Sequence, residues 1–228
     1  YWAQPDVSGR QFAFVRESLQ GLGNACARLG APLVLRVGEA VDVLSLLRAS
    51  VPFDAIISHE ETGSGWTYAR DRAVAAWCRA NAVRWEELSQ SGVVRRLNGR
   101  DGWARQRNSR LRLPALVPPE RLTGPGLASD PVPDLIAPDL CPERQLGGRD
   151  AAVAMLTSFL DTRGRTYRRE MSSPVTGAAA CSRLSPYLAF GVVSGREVAQ
   201  ATARRQAALK GTRDGWGGSL KSFQARLA

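Results

Sequence analysis

The residues best suited to chemistry in this sequence lie in the segment 181–191, CSRLSPYLAFG. Ser185 is a natural N-cap for a helix, and Pro186 suits the first helical position because its missing N–H is not needed there. The unpaired backbone N–H groups of such a helix start attract anions and accommodate a phosphate. Arg183 adds a planar fork of donors, and Ser182 and Ser185 add hydroxyl donors. The segment therefore predicts a binding site for a phosphate-like anion.

A second helix start follows closely, because Ser194 and Glu197 have the spacing of a capping box. Two capped helices with an exposed arginine would explain the same residues without any ligand. The residue types alone leave both interpretations open.

The longer segment 164–198 is more specific than its capping signals. A tyrosine, a proline loop and the C-S-R-L-S-P-Y-L-A-F-G run follow one another, at Tyr167, Pro174 and residues 181–191. This order resembles the start of the flavin-binding domain in the photolyase/cryptochrome family. The resemblance implies that the tyrosine packs and hydrogen-bonds near the cofactor, and that the S-R-L-S turn holds the pyrophosphate of FAD.

From the resemblance we expect six residues to contact FAD: Tyr167, Cys181, Ser182, Arg183, Leu184 and Ser185. It assigns no catalytic residue and no metal site. The family also implies an antenna chromophore, whose type the sequence leaves open. Folate-type antennas of the family are often held by a glutamate in an N-E-x-x-R-D-like element. The matching stretch here, residues 66–71, lacks that glutamate, which argues against folate.

The elements that must position these residues begin with alternating helices and strands. Apolar periodicity predicts helices over residues 8–30, 41–49 and 62–82. Short β-rich runs predict strands over residues 32–37, 54–59 and 83–88. This alternation favours a parallel sheet covered on both faces, so the predicted fold class is α/β. The resemblance implies that this part is a Rossmann-like antenna domain. From residue 148 onward the pattern is helical.

We therefore predict three parts: an α/β domain over 1–97, an interdomain connector over 98–147, and the first part of an all-helical FAD-binding domain over 148–228. The resemblance implies a further strand before Tyr1 and most of the FAD domain after Ala228. On this basis we expect a fragment that is inactive alone, from a parent of the deoxyribodipyrimidine photo-lyase type.

Length, composition and charge bound the function further. The 228 residues are 44% hydrophobic, enough for a core, and no run of eighteen apolar residues predicts a membrane span. The four cysteines are scattered, which favours a reducing compartment, and we expect the cytoplasm. From Gly148 onward 13 Lys/Arg face 5 Asp/Glu, a net charge of +8 out of +10 for the chain. A basic module indicates a polyanion partner, although an arginine-rich solvated surface is the alternative.

Two other groups of residues are candidates for binding. The basic stretch from Arg95 to Arg112, with Trp103 among its arginines, could contact nucleic acid or simply be solvated. His59, Glu60 and Glu61 follow a predicted strand, at the edge where open α/β sheets bind ligands. With one histidine they make a poor metal site, so we expect an antenna-pocket or interdomain contact, or a plain loop.

The resemblance implies a monomeric, blue-light-dependent flavoprotein that repairs UV-damaged DNA by electron transfer from FAD to a pyrimidine photoproduct. The alternative is a cryptochrome-type photoreceptor without repair activity. Many repair enzymes of the family carry a glutamate in the helix matching residues 223–228, where this chain has Arg226. A third hypothesis is a basic helical module that binds nucleic acid without a cofactor.

Overall fold

The computed structural model describes residues 1–95, 97–99 and 101–227. The chain forms two compact units, each built from two stretches of sequence. The first unit consists of Tyr1–Ser89 and Val117–Leu146, and the second of Gln90–Leu116 and Gly147–Ala228. The stretch expected to be a connector thus contributes to both units. The three domain ranges derived from the sequence stay a prediction.

The first unit is mixed α/β, which confirms the predicted fold class. Its elements in chain order are α1 (Gly9–Leu29), α2 (Ala40–Ser50), β1 (Ala55–His59), α3 (Gly65–Ala80) and β2 (Arg84–Leu88). The strands β1 and β2 pair in parallel, with Ile57 opposite Glu86. A parallel pair needs a crossover connection, and α3 provides it.

The first of the three predicted strands, residues 32–37, does not form. The Leu35 N–H donates to the Ser129 hydroxyl at 2.8 Å, and the Leu35 carbonyl accepts the Asp130 N–H at 3.1 Å. These are separate contacts with an irregular segment rather than a ladder. A β-rich run becomes a strand only where another strand runs beside it, so composition alone predicted the element wrongly.

The sheet is covered by helices on one face within the described residues. Val74 and Cys78 of α3 form a buried cluster with Val83, and side chains of α2 pack against it. On the opposite side of β1, Ile57 is 65% exposed. The expectation of helices on both faces is therefore met on one face only, because α1 is held elsewhere.

The helix α1 is held by the irregular segment 117–146, which we call the strap. Arg10 donates to the Asp139 carboxylate at 2.5 Å. Gly9, the first residue of α1, meets the strap so closely that a Cβ there would lie 2.2 Å from the Ala137 carbonyl oxygen. Exposed ion pairs contribute at most about 1 kcal/mol each. Close backbone packing at Gly9 is therefore the more specific feature of this contact.

The second unit is helical. Its elements are α4 (Trp103–Arg112), α5 (Arg149–Asp161), a 3-10 turn (Arg163–Thr166), α6 (Tyr167–Glu170), α7 (Gly177–Ala180), α8 (Ser185–Ala189), α9 (Gly195–Ala208) and α10 (Trp216–Arg226). Three rings form the centre of its core: Phe159, Tyr167 and Phe223, with centroids 4.6 to 5.7 Å apart. Within the described ranges, no helix is both long and apolar enough to cross a membrane.

We expect Gly9→Ala to destabilise the protein, because the new Cβ must push the Ala137 backbone away. Overpacking of this kind typically costs about 1–3 kcal/mol, which a lower midpoint of thermal unfolding would reveal. Gly65→Ala is the matched control, since Gly65 also begins a helix but a Cβ there meets no atom within 4 Å. Equal midpoints for the two variants would contradict the close approach of the strap.

Candidate functional site

The predicted phosphate-binding turn, residues 181–185, lies between the short helices α7 and α8. Leu184 is the residue that precedes α8, and Ser185 is the first helical residue, so the predicted N-cap is wrong by one position. The side chain of Leu184 is 1% exposed. It anchors the turn in the core, while Ser185 and Arg183 lie at the surface.

The backbone at Arg183 has a conformation that is uncommon for a residue with a side chain. Its φ is +57°, in the left-handed region, which costs an L-residue about 1–2 kcal/mol. Leu184 follows with φ −88° and ψ −6°. Alternation of left-handed and right-handed residues is found in nests, where successive N–H groups form an anion-binding concavity.

Two hydroxyl groups of the turn are available to a ligand. Ser182 is half-buried and Ser185 is exposed. Within the part of the chain that the structure describes, neither hydroxyl has a protein hydrogen-bond partner. The Cys181 thiol differs, because it faces the Met171 carbonyl at 3.8 Å.

Arg163 supports the turn from the core side. Its guanidinium donates to the Cys181 carbonyl and, at 3.4 Å, to the Ser182 carbonyl. It also donates to α5, at 3.0 Å to both the Met155 carbonyl and the Ser158 hydroxyl. Burial lowers the pKa of Arg163, and the nearby positive charge of Arg183 lowers this pKa further.

The sequence analysis missed Arg163, because nothing in its local pattern distinguishes it from the other arginines. Gly164 beside it was a possible signal. A Cβ at Gly164 would lie 2.6 Å from the Phe159 carbonyl oxygen, so the chain passes closest to α5 at this point. That close passage places the Arg163 side chain between α5 and the turn.

Tyr167 is a buried core residue. Its ring packs edge-on against Phe159 and Phe223, with centroids 5.6 and 5.7 Å away. Burial raises the pKa of Tyr167, the neighbouring Cys181 raises it further, and the Arg226 charge lowers it. The structure thus brings Tyr167 and Cys181 together, and the contact of both with a cofactor stays a prediction.

Only one of the two hydrogen bonds of the predicted capping box forms at the second helix start. The Ser194 hydroxyl accepts the Glu197 N–H at 3.1 Å, as expected. The Glu197 carboxylate, however, is paired with Arg149, whose guanidinium donates at 2.8 Å. A reciprocal capping box therefore does not form, because a charged partner outcompetes the backbone N–H of Ser194.

The group at the end of β1 is a charge network rather than a cluster of free ligands. His59 is exposed, and the Glu61 carboxylate accepts from the Gly63 N–H at 2.6 Å and from Arg70 at 3.1 Å. Arg70 also pairs with Asp71 at 2.7 Å. Among the described residues, no group of three or more His, Cys, Asp or Glu could hold a metal ion.

Part of the basic stretch from Arg95 to Arg112 is structural. Arg107 donates to the Gln224 carbonyl of α10 at 3.1 Å, and Arg110 donates to the Val93 carbonyl at 2.5 Å. Arg105 and Arg112 are exposed on α4. Two further arginines of the stretch lie outside the described residues, Arg96 and Arg100.

We expect Arg163→Lys to destabilise the protein. Lysine keeps the positive charge, but its compact ammonium cannot donate to α5 and to the turn at once. Buried acceptors that lose their donor cost about 1–3 kcal/mol, which urea unfolding can measure. Arg165→Lys is the control, since Arg165 is exposed two residues away. If both variants unfold at the same urea concentration, Arg163 does not support the turn.

Alkaline pH should weaken the fold through Tyr167. Burial raises its pKa above the usual 10.0, so the unfolded chain releases this proton at a lower pH than the folded protein does. The stability is thus fully present below about pH 10 and is lost as the pH rises through the folded pKa. Tyr167→Phe should flatten the alkaline fall in the unfolding midpoint, and Tyr1→Phe should leave it unchanged. If Tyr1→Phe flattens the alkaline fall and Tyr167→Phe does not, this assignment is contradicted.

The comparisons with known proteins agree with the resemblance seen in the sequence. Residues 1–97 match the family model described as DNA photolyase. A bacterial class III photolyase from Agrobacterium tumefaciens has a similar structure, with a TM-score of 0.78 and 20% identity over 99% of this chain and 49% of that chain. No curated protein matches the chain in sequence.

Two other solved structures are similar. A cryptochrome from Synechocystis sp. has a TM-score of 0.75 and 18% identity over 97% of this chain and 49% of that chain. An archaeal photolyase from Sulfolobus tokodaii with two FAD molecules has a TM-score of 0.55 and 21% identity, again over 97% and 49%. The chain thus spans about half the length of these relatives. Residues 1–97 match the DNA photolyase family model and the chain has the fold of photolyases and cryptochromes, in agreement with the family recognised from the sequence.

Proposed function

We propose that the turn 181–185 binds the diphosphate of FAD as part of a light-dependent flavoprotein. The observation that carries this proposal is the pair of hydroxyls at Ser182 and Ser185, which have no protein partner within the described residues. They flank the left-handed backbone of Arg183. A phosphate needs several donors on one side, and this turn offers hydroxyl, backbone and guanidinium donors together.

Each residue of the turn has a distinct part in this proposal. The hydroxyls of Ser182 and Ser185 would donate to the diphosphate oxygens of FAD, and Arg183 would supply a positive charge. Leu184 and Arg163 keep the turn at its place on the core. FAD itself, when reduced and excited by blue light, supplies the electron for repair. The protein residues bind it and orient it.

We further propose repair of UV-damaged DNA, the reaction of a deoxyribodipyrimidine photo-lyase. The net charge of +8 from Gly148 onward supports a polyanion partner. A pyrimidine photoproduct is poorly stacked, so flipping it out of the duplex costs less than flipping a normal base. We also expect a monomer in the cytoplasm, in keeping with four free thiols.

A photoreceptor without repair activity is the second candidate. It is favoured by Arg226, which stands where many repair enzymes of the family have a glutamate. Arg226 is exposed and close enough to Tyr167 for its charge to lower the pKa of that residue. Arg226 thus places a positive charge near Tyr167, where those repair enzymes have a negative one.

An antenna chromophore, if the protein uses one, fits a cavity of the first unit. The cavity measures about 470 Å³ and is lined by Trp2, Trp66, Arg36 and Arg70 among others. Aromatic walls with a few charged groups suit a planar ligand. The type of chromophore stays open.

FAD and ADP titrations test the turn, because ADP carries the diphosphate without the isoalloxazine ring. Both ligands should bind, and Ser182→Ala with Ser185→Ala should weaken both by roughly tenfold or more, as hydrogen bonds to charged groups are worth about 1.5–3 kcal/mol. Ser109→Ala, at an exposed serine of α4, is the control. Equal affinities for the double variant and the control would refute this assignment.

Blue-light illumination of UV-irradiated oligothymidylate separates the three functions. Recovery of the ultraviolet absorbance of intact thymine indicates repair. A light-dependent change in the flavin spectrum without that recovery indicates a photoreceptor. DNA binding without any flavin binding would identify the cofactor-free module and overturn the proposal.

A further inference from the structure

A second basic site lies in the helical unit, apart from the turn 181–185. Three arginines, Arg165, Arg168 and Arg169, line an open cleft of about 790 Å³ beside the first turn of α10. We call it the arginine cleft. Its remaining lining residues are small or polar: Thr166, Asp214, Gly215, Gly218 and Ser219.

The walls of the arginine cleft are joined by one buried hydroxyl. Ser219 is 2% exposed; it donates to the Arg165 carbonyl at 2.7 Å and accepts the Arg168 N–H at 3.2 Å. The two bonds fix the backbone of both arginines against α10. The charged side chains therefore extend from defined positions on a folded wall, and not from a loose loop.

The positive charge of the cleft is largely uncompensated. In the ranges that the structure describes, Arg165 and Arg168 make no side-chain ion pair, whereas Arg169 pairs with Glu170 at 2.9 Å. The carboxylate of Asp214 accepts the Trp216 N–H at 3.3 Å. Two guanidinium groups thus remain for a ligand, and both are exposed.

The glycine at position 218 makes room for one of these groups. A Cβ there would lie 3.3 Å from the Arg168 Nη1 atom, a tight contact. At the neighbouring Gly217 a Cβ would meet no atom within 4 Å. The small residue on the cleft side of α10 therefore keeps the space in front of Arg168 open.

We propose that the arginine cleft binds phosphate groups of a nucleic acid backbone. Guanidinium forks match phosphate oxygens in a bidentate manner. Among the described residues no aromatic ring lines the cleft, so it offers no surface on which a base or a flavin ring would stack. Contacts of this kind position a duplex without reading its sequence. The inference rests on the proposed DNA partner and adds the place of contact.

Salt-dependent binding of a fluorescent DNA duplex to the 228-residue chain tests the cleft. Arg165→Gln with Arg168→Gln should lower the slope of log affinity against log salt by about one per arginine. At low salt the affinity should fall at least tenfold. The control, Arg204→Gln with Lys210→Gln, removes two exposed charges of the same unit. It should leave the slope nearly unchanged.

A second pair of variants tests the shape of the cleft without changing its charge. Gly218→Gln should fill the space before Arg168 and weaken binding severalfold, whereas Gly217→Gln should not. Both changes favour a helix, so loss of folding would not explain a difference between them. Equal DNA binding by the two variants would contradict binding in the arginine cleft.

The outcomes distinguish failure of the cleft hypothesis from failure of the proposed function. If the unaltered chain binds no DNA, the proposed DNA partner and the cleft both fail. If it binds and the two double variants have equal slopes, the cleft alone fails. The affinity for FAD should be the same in all variants. A loss of FAD binding with unchanged DNA binding would assign the cleft to the flavin and overturn the inference.

Discussion

The hydrogen bonds of one half-buried guanidinium connect the candidate site to the core of the helical unit. Arg163 lies between α5 and the turn 181–185 and donates to carbonyl oxygens on both sides. The carbonyls of Cys181 and Ser182 belong to the irregular turn, where backbone groups need partners when water is excluded. The turn can present the Ser182 and Ser185 hydroxyls outward because Arg163 donates to the carbonyls on its core side. Its left-handed residue at Arg183 is retained for the same reason.

The same unit separates two kinds of anion chemistry. The turn offers neutral hydroxyl donors and backbone N–H groups at a defined position, which suits a single diphosphate. The arginine cleft offers exposed charged forks at an open surface, which suits the repeated charges of a nucleic acid backbone. Arg163 and Arg165 are two residues apart in the chain, yet one faces the core and the other faces solvent. The 3-10 turn Arg163–Thr166 directs them to these different environments.

In the first unit, the irregular strap holds a helix in place, a role that a strand or another helix usually has. It holds α1 by an ion pair at Arg10, by the close contact at Gly9, and by a hydrogen bond from the Leu122 N–H to the Leu29 carbonyl at 2.7 Å. Proline-rich chain cannot form a ladder, but it can follow a helix and make single contacts. The residues 32–37 bond to the strap for the same reason and so do not become a strand.

The sequence by itself determined the elements whose signals are local. Apolar periodicity located α1, α2 and α3 within a few residues, and the order of residues from Tyr167 to Gly191 carried the resemblance to photolyases and cryptochromes. Composition could not decide pairing, so it predicted a strand over residues 32–37 that does not form. Tertiary structure alone decided that Arg163 supports the turn, that Tyr167 is a core ring and that Arg165 and Arg168 share a cleft. Each of these facts depends on contacts between residues distant in the chain, as between Arg163 and Cys181 or Arg168 and Ser219, and no local pattern records such contacts.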